Sequence, residues 1–514
     1  MLAAVYLCAL AVQFNKVLAA VYLNADSASA PVIGSFAGHG SGGIVLGKLP
    51  WYSALIFELA TRGLPLHRQL WEVAPYAMAL ASVALIADSL RRVSGRLAAV
   101  FAAAILVCAS PQLLGLLFAL DDHSPTWFTI ALLGWWVVML ERVKIDSLAR
   151  SLALLAGGVV IALVTGMNAA SDSLLLAGGL VPLVLAPAVA YALDRGAAAR
   201  NAAIAAGATC ALAVTFALIT ARVMHEHNVT HAGIYMFGEP AHVQGNLTLW
   251  WEGLVFIGNG NFFGAAIGFT SILASACALI VLAAAVGALR FGWLELSGRR
   301  MEAEVRSTDS ARAAHIAFWL TTGLAITLVF IVSAEPEGLP ASRYLVGVLY
   351  AVVALVVLLV ERRPAVRAAV LGAVIVYCLG GTIAMARGIL TESGVGSPSD
   401  HIAGEVAALA KREHLTRGYA GYWDAAPITW STHLRVHVFP VWLCPQGLCQ
   451  FYLHTVASWY RPHPGERTFL LTDSGQPFLQ SPPALLGPPV ATHSVGPDTM
   501  YVYPYDIATR ISPP

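Results

Sequence analysis

Apolar residues run through this chain in blocks of helix length, separated by short polar connections, and few of the blocks carry the polar stripe of a helix on a water-facing surface. A helix of about 20 apolar residues crosses a hydrocarbon core of roughly 30 Å. Eleven such segments can be drawn, near 1–22, 72–90, 97–118, 126–141, 149–166, 174–192, 200–220, 263–289, 313–333, 343–361 and 366–386. After about Arg387 the pattern changes. Ile402, Val406 and Leu409 fall on one helical face behind Asp400 as a cap, and Leu434–Val438, Thr468–Thr472 and Met500–Tyr503 have the length and alternation of short strands. The expected fold is an α-helical polytopic membrane protein with about eleven transmembrane helices over 1–387, followed by a small external α/β domain over 388–514.

Composition agrees with the pattern. The chain is 58% hydrophobic and 11% charged, under half the charge of an average soluble protein at about 25%, and its mean hydropathy is +0.71. Membrane lipids are its expected surroundings, and a net charge of +1 gives no electrostatic case for nucleic acid. With the N-terminus in the cytoplasm, inner loops hold 16 Lys and Arg residues against 5 in the outer loops, the bias of the positive-inside rule. An odd number of spans then puts the C-terminal domain outside. Alanine and arginine usage suggests a GC-rich bacterial genome, and hence the bacterial inner (cytoplasmic) membrane. Ser27-Ala28-Ser29-Ala30 resembles a signal-peptide cleavage site, but Lys16 interrupts the apolar stretch before it and no basic segment opens it, so a membrane span is the stronger reading.

Candidate chemistry lies in the outer loops. Asp26 follows the first apolar segment, where a carboxylate can take a proton from a water-borne hydroxyl, although such a residue also simply ends helices. Asp121 and Asp122 share one very short loop, where their mutual repulsion calls for a cation, a donor or water; they are candidates to bind a divalent metal ion, to orient an acceptor, or to share a base role with His123. The alternative is a solvated turn ahead of Ser124-Pro125. Lys48 and Arg343 can bind a phosphate, or can snorkel to lipid headgroups. Trp250 and Trp251 suit an interfacial belt or a sugar face. His225, His227 and His231 have no compact zinc spacing. Cys444 and Cys449, both in the external domain, would form a short-loop disulfide in an oxidising compartment, free thiols being the alternative.

Taken together, the acid of Leu23-Asn-Ala-Asp26-Ser, the short apolar run Trp51–Arg62, the pair Asp121-Asp122 and Ser342-Arg343-Tyr344-Leu345 before a late span resemble the C-type glycosyltransferase superfamily (GT-C), membrane enzymes that use polyprenyl-phosphate sugars. Protein O-mannosyltransferases, aminoarabinose transferases and actinobacterial arabinofuranosyl and mannosyl transferases belong to it. Asp26 is followed by Ser27 where the mannosyltransferases have an Asp-Glu pair. The resemblance implies a transferase that moves a hexose or pentose from a polyprenyl-phosphate donor to a cell-envelope acceptor by a single inverting displacement. It implies Asp26 as catalytic base, with Asp121 and Asp122 in a secondary catalytic or metal role and Lys48 and Arg343 on the leaving phosphate. His123, Trp250, Trp251, Tyr422 and Trp423 would contact sugar or acceptor. No cofactor is required, and a divalent ion is the candidate one. Two other classes remain: a transporter or lipid flippase, disfavoured because no repeated halves are visible beyond Leu-Ala-Ala-Val-Tyr-Leu at 2–7 and 18–23, and an inactive envelope-assembly protein of the same fold.

Overall fold

A computed structural model describes residues 25–37, 42–47, 51–108, 110, 113, 117, 123–143, 147–231, 236–262, 265–302, 309–336, 338–361, 364–386, 399–473 and 479–513. It divides into two compact units. One is built from the described residues of 72–221 and 235–390, the other from those of 20–71, 222–234 and 391–514. The C-terminal segment therefore shares its unit with stretches of two expected outer loops, those after the first and the seventh apolar segments.

The helices, in chain order, are α1 (Ala25–Phe36), α2 (Trp51–Thr61), α3 (His67–Val93), α4 (Arg96–Val107), α5 (Ser124–Arg142), α6 (Leu148–Ser171), α7 (Val181–Asp194), α8 (Ala197–Glu226), α9 (Pro240–Ile257), α10 (Phe269–Glu302), α11 (Ser310–Val332), α12 (Val346–Val356), α13 (Pro364–Ala386), α14 (Ser399–Arg412) and α15 (Tyr422–Ser431). A π-helical turn, Leu176–Leu180, leads into α7, and a 3-10 run, Leu339–Leu345, leads into α12. Among the described residues eight helical runs are long and apolar enough to cross a membrane: α3, α6, Leu176–Asp194, α8, most of α10, α11, Leu339–Val360 and most of α13. Eight of the eleven expected segments coincide with these runs. The first lies outside the described residues, 97–118 begins as the twelve-residue α4, and 126–141 is the nineteen-residue α5, which is mostly buried among other helices. A multi-pass helical membrane protein is the result.

In the helical unit the core gathers where α5, α11 and α12 meet. Trp127, Phe318, Trp319 and Ile326 are fully buried there. Glycine makes the approach possible: a Cβ on Gly134 would sit 2.9 Å from Trp319, and one on Gly347 would sit 2.4 Å from Ile326. Small residues at helix contacts serve this purpose wherever hydrocarbon removes the hydrophobic drive to associate. Thr322 Oγ1 donates to the Gly178 carbonyl of the π-helical turn at 3.0 Å, supplying a partner where the α-helical ladder is broken.

The second unit is α/β. Its strands are β1 (Ile44–Leu46), β2 (Val229–His231), β3 (Arg417–Ala420), β4 (His437–Cys444), β5 (Gly447–Gln450), β6 (Thr455–Val456), β7 (Thr468–Thr472), β8 (Ala491–Val495), β9 (Asp498–Tyr503) and β10 (Ile511–Ser512). Seven form one sheet in the order β10-β5-β4-β3-β7-β9-β8, with β3 parallel to both β4 and β7. The strand expected at Leu434–Val438 is shifted to β4, because His433 and Leu434 adopt left-handed φ values of 56° and 59°. Ile402 and Val406 of α14 and Ile428 of α15 bury against Val438, Phe469, Leu471 and Val502. Asp400 lies inside α14, which begins at Ser399. Strands β2, β1 and β6 form a second, three-stranded sheet. Cys444 and Cys449 are disulfide-bonded across the β4–β5 turn.

Two glycines give opposite expectations. A Cβ on Gly418 would fall 2.4 Å from the Phe469 ring, whereas one on Gly404, inside α14, would meet nothing within 4 Å. Gly418→Ala should cost about 1–3 kcal/mol by overpacking, and Gly404→Ala should gain about 0.5–1 kcal/mol by helix propensity. Thermal melts of the two purified full-length variants should move in opposite directions.

Candidate functional site

Chemically competent side chains gather in both units. In the helical unit the cluster forms at the start of α5. His123, at φ 64°, closes the turn before this helix, and its carbonyl accepts from Trp127 N at 3.0 Å. Its ring is turned inward, with Nδ1 2.5 Å from Asp172 Oδ2. Thr126 Oγ1 donates to the same oxygen at 2.5 Å, and Leu174 N donates to Oδ1 at 3.0 Å. Both His123 and Asp172 are buried. Burial pushes the Asp172 carboxyl up, but the His123 ring and the donated bonds outweigh it and hold the group below its usual range. With Asp172 ionised, its oxygens only accept, so His123 Nδ1 is the donor of this bond. Among the described residues Nε2 has no partner.

Tyr344 meets the His123 ring edge-on at 5.1 Å, and the Arg343 guanidinium stands 5.2 Å from the centre of the Tyr344 ring. The 3-10 run carrying this pair continues directly into α12. Val348, Ala351, Val352 and Leu355 of α12 line an almost wholly apolar cavity of about 310 Å³ with Trp250 of α9 and Trp319 of α11. Trp250 Nε1 donates to Thr327 Oγ1 at 3.2 Å, which fixes its indole at the cavity wall. Trp251, also on α9, is half-buried and does not line this cavity.

In the α/β unit Asp26 lies in the first turn of α1, where the helix dipole favours a carboxylate. It is buried and accepts a hydrogen bond from Tyr422 Oη, at the start of α15. Ala25 packs on Tyr422 and Phe451, and the last two rings stack at 4.6 Å. Trp423, beside Tyr422, is 37% exposed. Two imidazoles grip the Gly47 peptide: Gly47 N donates to His454 Nδ1 at 3.3 Å, and the Gly47 carbonyl accepts from His231 Nδ1 at 2.6 Å. Burial, then the neighbouring His231, push His454 down to about 3, so it stays neutral and able to accept. His231 belongs to β2, in a stretch the sequence pattern leaves between two apolar segments.

The sequence groups Asp26, Lys48, Asp121, Asp122 and Arg343 on one membrane face. The structure joins His123 to Arg343 through Tyr344, and Asp26 to Tyr422. Lys48, Asp121 and Asp122 lie outside the described residues. Among the described residues no three His, Cys, Asp or Glu side chains converge as a metal site. Asp172 was overlooked; its only signal was a lone carboxylate in the short Ser171-Asp172-Ser173 connection between two apolar blocks.

Fold and clusters together define a multi-pass membrane protein with an α/β unit. No protein-family model matches the chain, and no curated protein matches it. Among solved structures, the crystal structure of ArnT from Cupriavidus metallidurans in the apo state is similar, with 14% identity, 95% of this chain and 94% of that chain covered, and a TM-score of 0.46.

Glu58 of α2 supplies a pH test. Its stem crosses α1 at Gly34, where a Cβ would sit 2.3 Å from Glu58 Cγ, and its Oε2 lies 3.0 Å from His67 Nε2. Burial pushes the carboxyl up to about 8, with Arg62 pulling the other way. The folded state thus keeps a proton that the unfolded chain releases near the ordinary glutamate value, and the stability this contributes is lost as pH rises through about 8. Melting temperature should fall from pH 5 to pH 9 in the parent, and the fall should be shallower in Glu58→Gln.

Proposed function

We propose that the chain is a glycosyltransferase that moves a sugar from a polyprenyl-phosphate donor to an acceptor hydroxyl on the extracytoplasmic side of the bacterial inner membrane. The observation that carries this reading is the apolar cavity whose α12 wall continues from the run bearing Arg343 and Tyr344. A polyprenyl phosphate has the matching form, a long apolar chain ending in an anion. Arg offers a planar fork of donors to phosphate oxygens, and in a water-poor site such a donor stabilises the charge that develops on the leaving group. In the transfer, the acceptor oxygen bonds to the anomeric carbon as the carbon–oxygen bond to phosphate breaks. The sugar configuration inverts, polyprenyl phosphate leaves, and the acceptor proton passes to a protein base.

Asp26 is the base of this proposal, with Tyr422 holding its carboxylate. The His123–Asp172 pair is a second proton-handling group, since His123 Nε2 has no partner among the described residues and the ring is held in one orientation. Asp121, Asp122 and Lys48 keep the acceptor, metal and phosphate roles drawn from the sequence, and Trp423, exposed beside Tyr422, offers a ring face to an acceptor glycan.

The test is transfer from radiolabelled polyprenyl-phosphate sugars to cell-envelope acceptors by the purified full-length protein. Asp26→Asn should lower kcat by about 10²–10⁴-fold, the usual contribution of a general base. Arg343→Gln should raise the donor KM by about 10–100-fold, as loss of a charge-assisted bond does. Asp172→Asn should lower kcat and shift the pH profile, because the amide no longer fixes the His123 tautomer. Transfer that survives loss of Asp26 would remove the base assignment, and no transfer with any donor would favour a transporter or an inactive assembly protein.

A further inference from the structure

A second, larger cavity lies between α5 and α6, separate from the residues described so far. These two helices are antiparallel and pinned at one end, where Asn168 Nδ2 donates to the Pro125 carbonyl at 2.9 Å and to Thr129 Oγ1 at 2.6 Å. Away from the pin, Phe128, Trp136 and Met139 of α5 face Ala153, Ala156 and Gly157 of α6 across a space of about 1030 Å³. That is at the upper end of the range for ligand pockets, about 300–1,000 Å³. The α6 wall is open to its surroundings, since Ala153, Ala156 and Val160 are exposed. At the end opposite the pin the lining changes character: Arg142 from the last turn of α5 and Arg150 from the first turn of α6 are the charged members among the described lining residues, none of which is acidic.

We propose that this cleft binds a phospholipid with an anionic headgroup in the cytoplasmic leaflet, its acyl chains between α5 and α6 and its phosphate on Arg142 and Arg150. Three features fit that occupant. First, the lining is hydrocarbon for most of its length and cationic at one end. Second, at 1.5 Å per residue the α6 wall from Arg150 to Val164 is roughly 20 Å long, enough to take the chains of one leaflet, which is half of a core about 30 Å thick. Third, the cationic end carries the inner-loop excess of arginine, so the headgroup falls on the side where anionic lipids face juxtamembrane basic residues. Arg142 Nη2 already holds Asp309 Oδ2 at 2.7 Å and the Arg92 carbonyl at 3.1 Å, and its side chain is 41% exposed. Those contacts orient the guanidinium and leave its other donors for phosphate. Asp88 is held by Arg91 and Arg92, and Glu141, beside Arg142 on α5, is buried.

The experiment photo-labels the purified full-length protein in nanodiscs with a crosslinkable phosphatidylglycerol and maps the adducts, with native mass spectrometry giving affinity for phosphatidylglycerol and for phosphatidylcholine. Expected are adducts on Phe128–Met139 and Ala153–Val164, competed by phosphatidylglycerol and poorly by phosphatidylcholine. Arg150→Gln should weaken binding roughly five-fold, the effect of one cation at an anionic membrane surface. Ala156→Ile, which fills the cleft with a side chain common in membrane helices, should abolish labelling without lowering the melting temperature. Equal affinity for both lipids, or labelling of these segments that persists in Ala156→Ile, would overturn the proposal. The readout is independent of any transferase activity.

Discussion

A carboxylate buried between helices must have its oxygens met by donors, because an unpaired charge away from water costs several kcal/mol. Asp172 meets that requirement with three donors, from His123, Thr126 and Leu174. Much of the helical unit follows from this one group. It holds His123 in a left-handed turn and so sets where α5 begins, and it ties that start to the end of α6. The α5–α6 hairpin is then closed by side chains at this end and by its own chain connection, between Arg142 and Leu148, at the other. The same contacts fix the imidazole that meets the Tyr344 ring edge-on.

The α/β unit solves a similar problem with neutral groups. His454 and His231 satisfy the two sides of the Gly47 peptide, and both are kept uncharged by burial. Trp51 closes over His454 at 3.7 Å and Tyr52 over His231 at 4.2 Å. Imidazole suits this role because one ring nitrogen can accept and the other donate, so the same residue type serves both the N–H and the carbonyl.

Long apolar blocks made most of the spans legible, since length and hydropathy alone identify a segment that can live in lipid. Thr468–Thr472 was equally plain and is β7 to the residue. The short strands were not. β1 and β2 have three residues each, too few for alternation to register, and β3 reads Arg-Gly-Tyr-Ala, with no β-branched side chain. Their strand state comes from partners far away in sequence, and so the loops that contain them could not be assigned to the α/β unit. Asp26 and Tyr422 were both visible as candidates, yet nothing local told that one would bond the other across 396 residues. Asp172 was hidden for the same reason, because its importance lies in the company of His123.

The three-stranded sheet also sets a timetable. β1 pairs in parallel with β2 and antiparallel with β6, so a strand at Ile44–Leu46 waits for partners at Val229–His231 and Thr455–Val456. At about 5–20 residues per second, a ribosome needs roughly 20–80 s to pass from the first of these to the last. For that interval β1 lacks its β6 neighbour, and Gly47 N–H lacks its His454 partner. Synthesis of the intervening helices therefore precedes completion of the α/β unit.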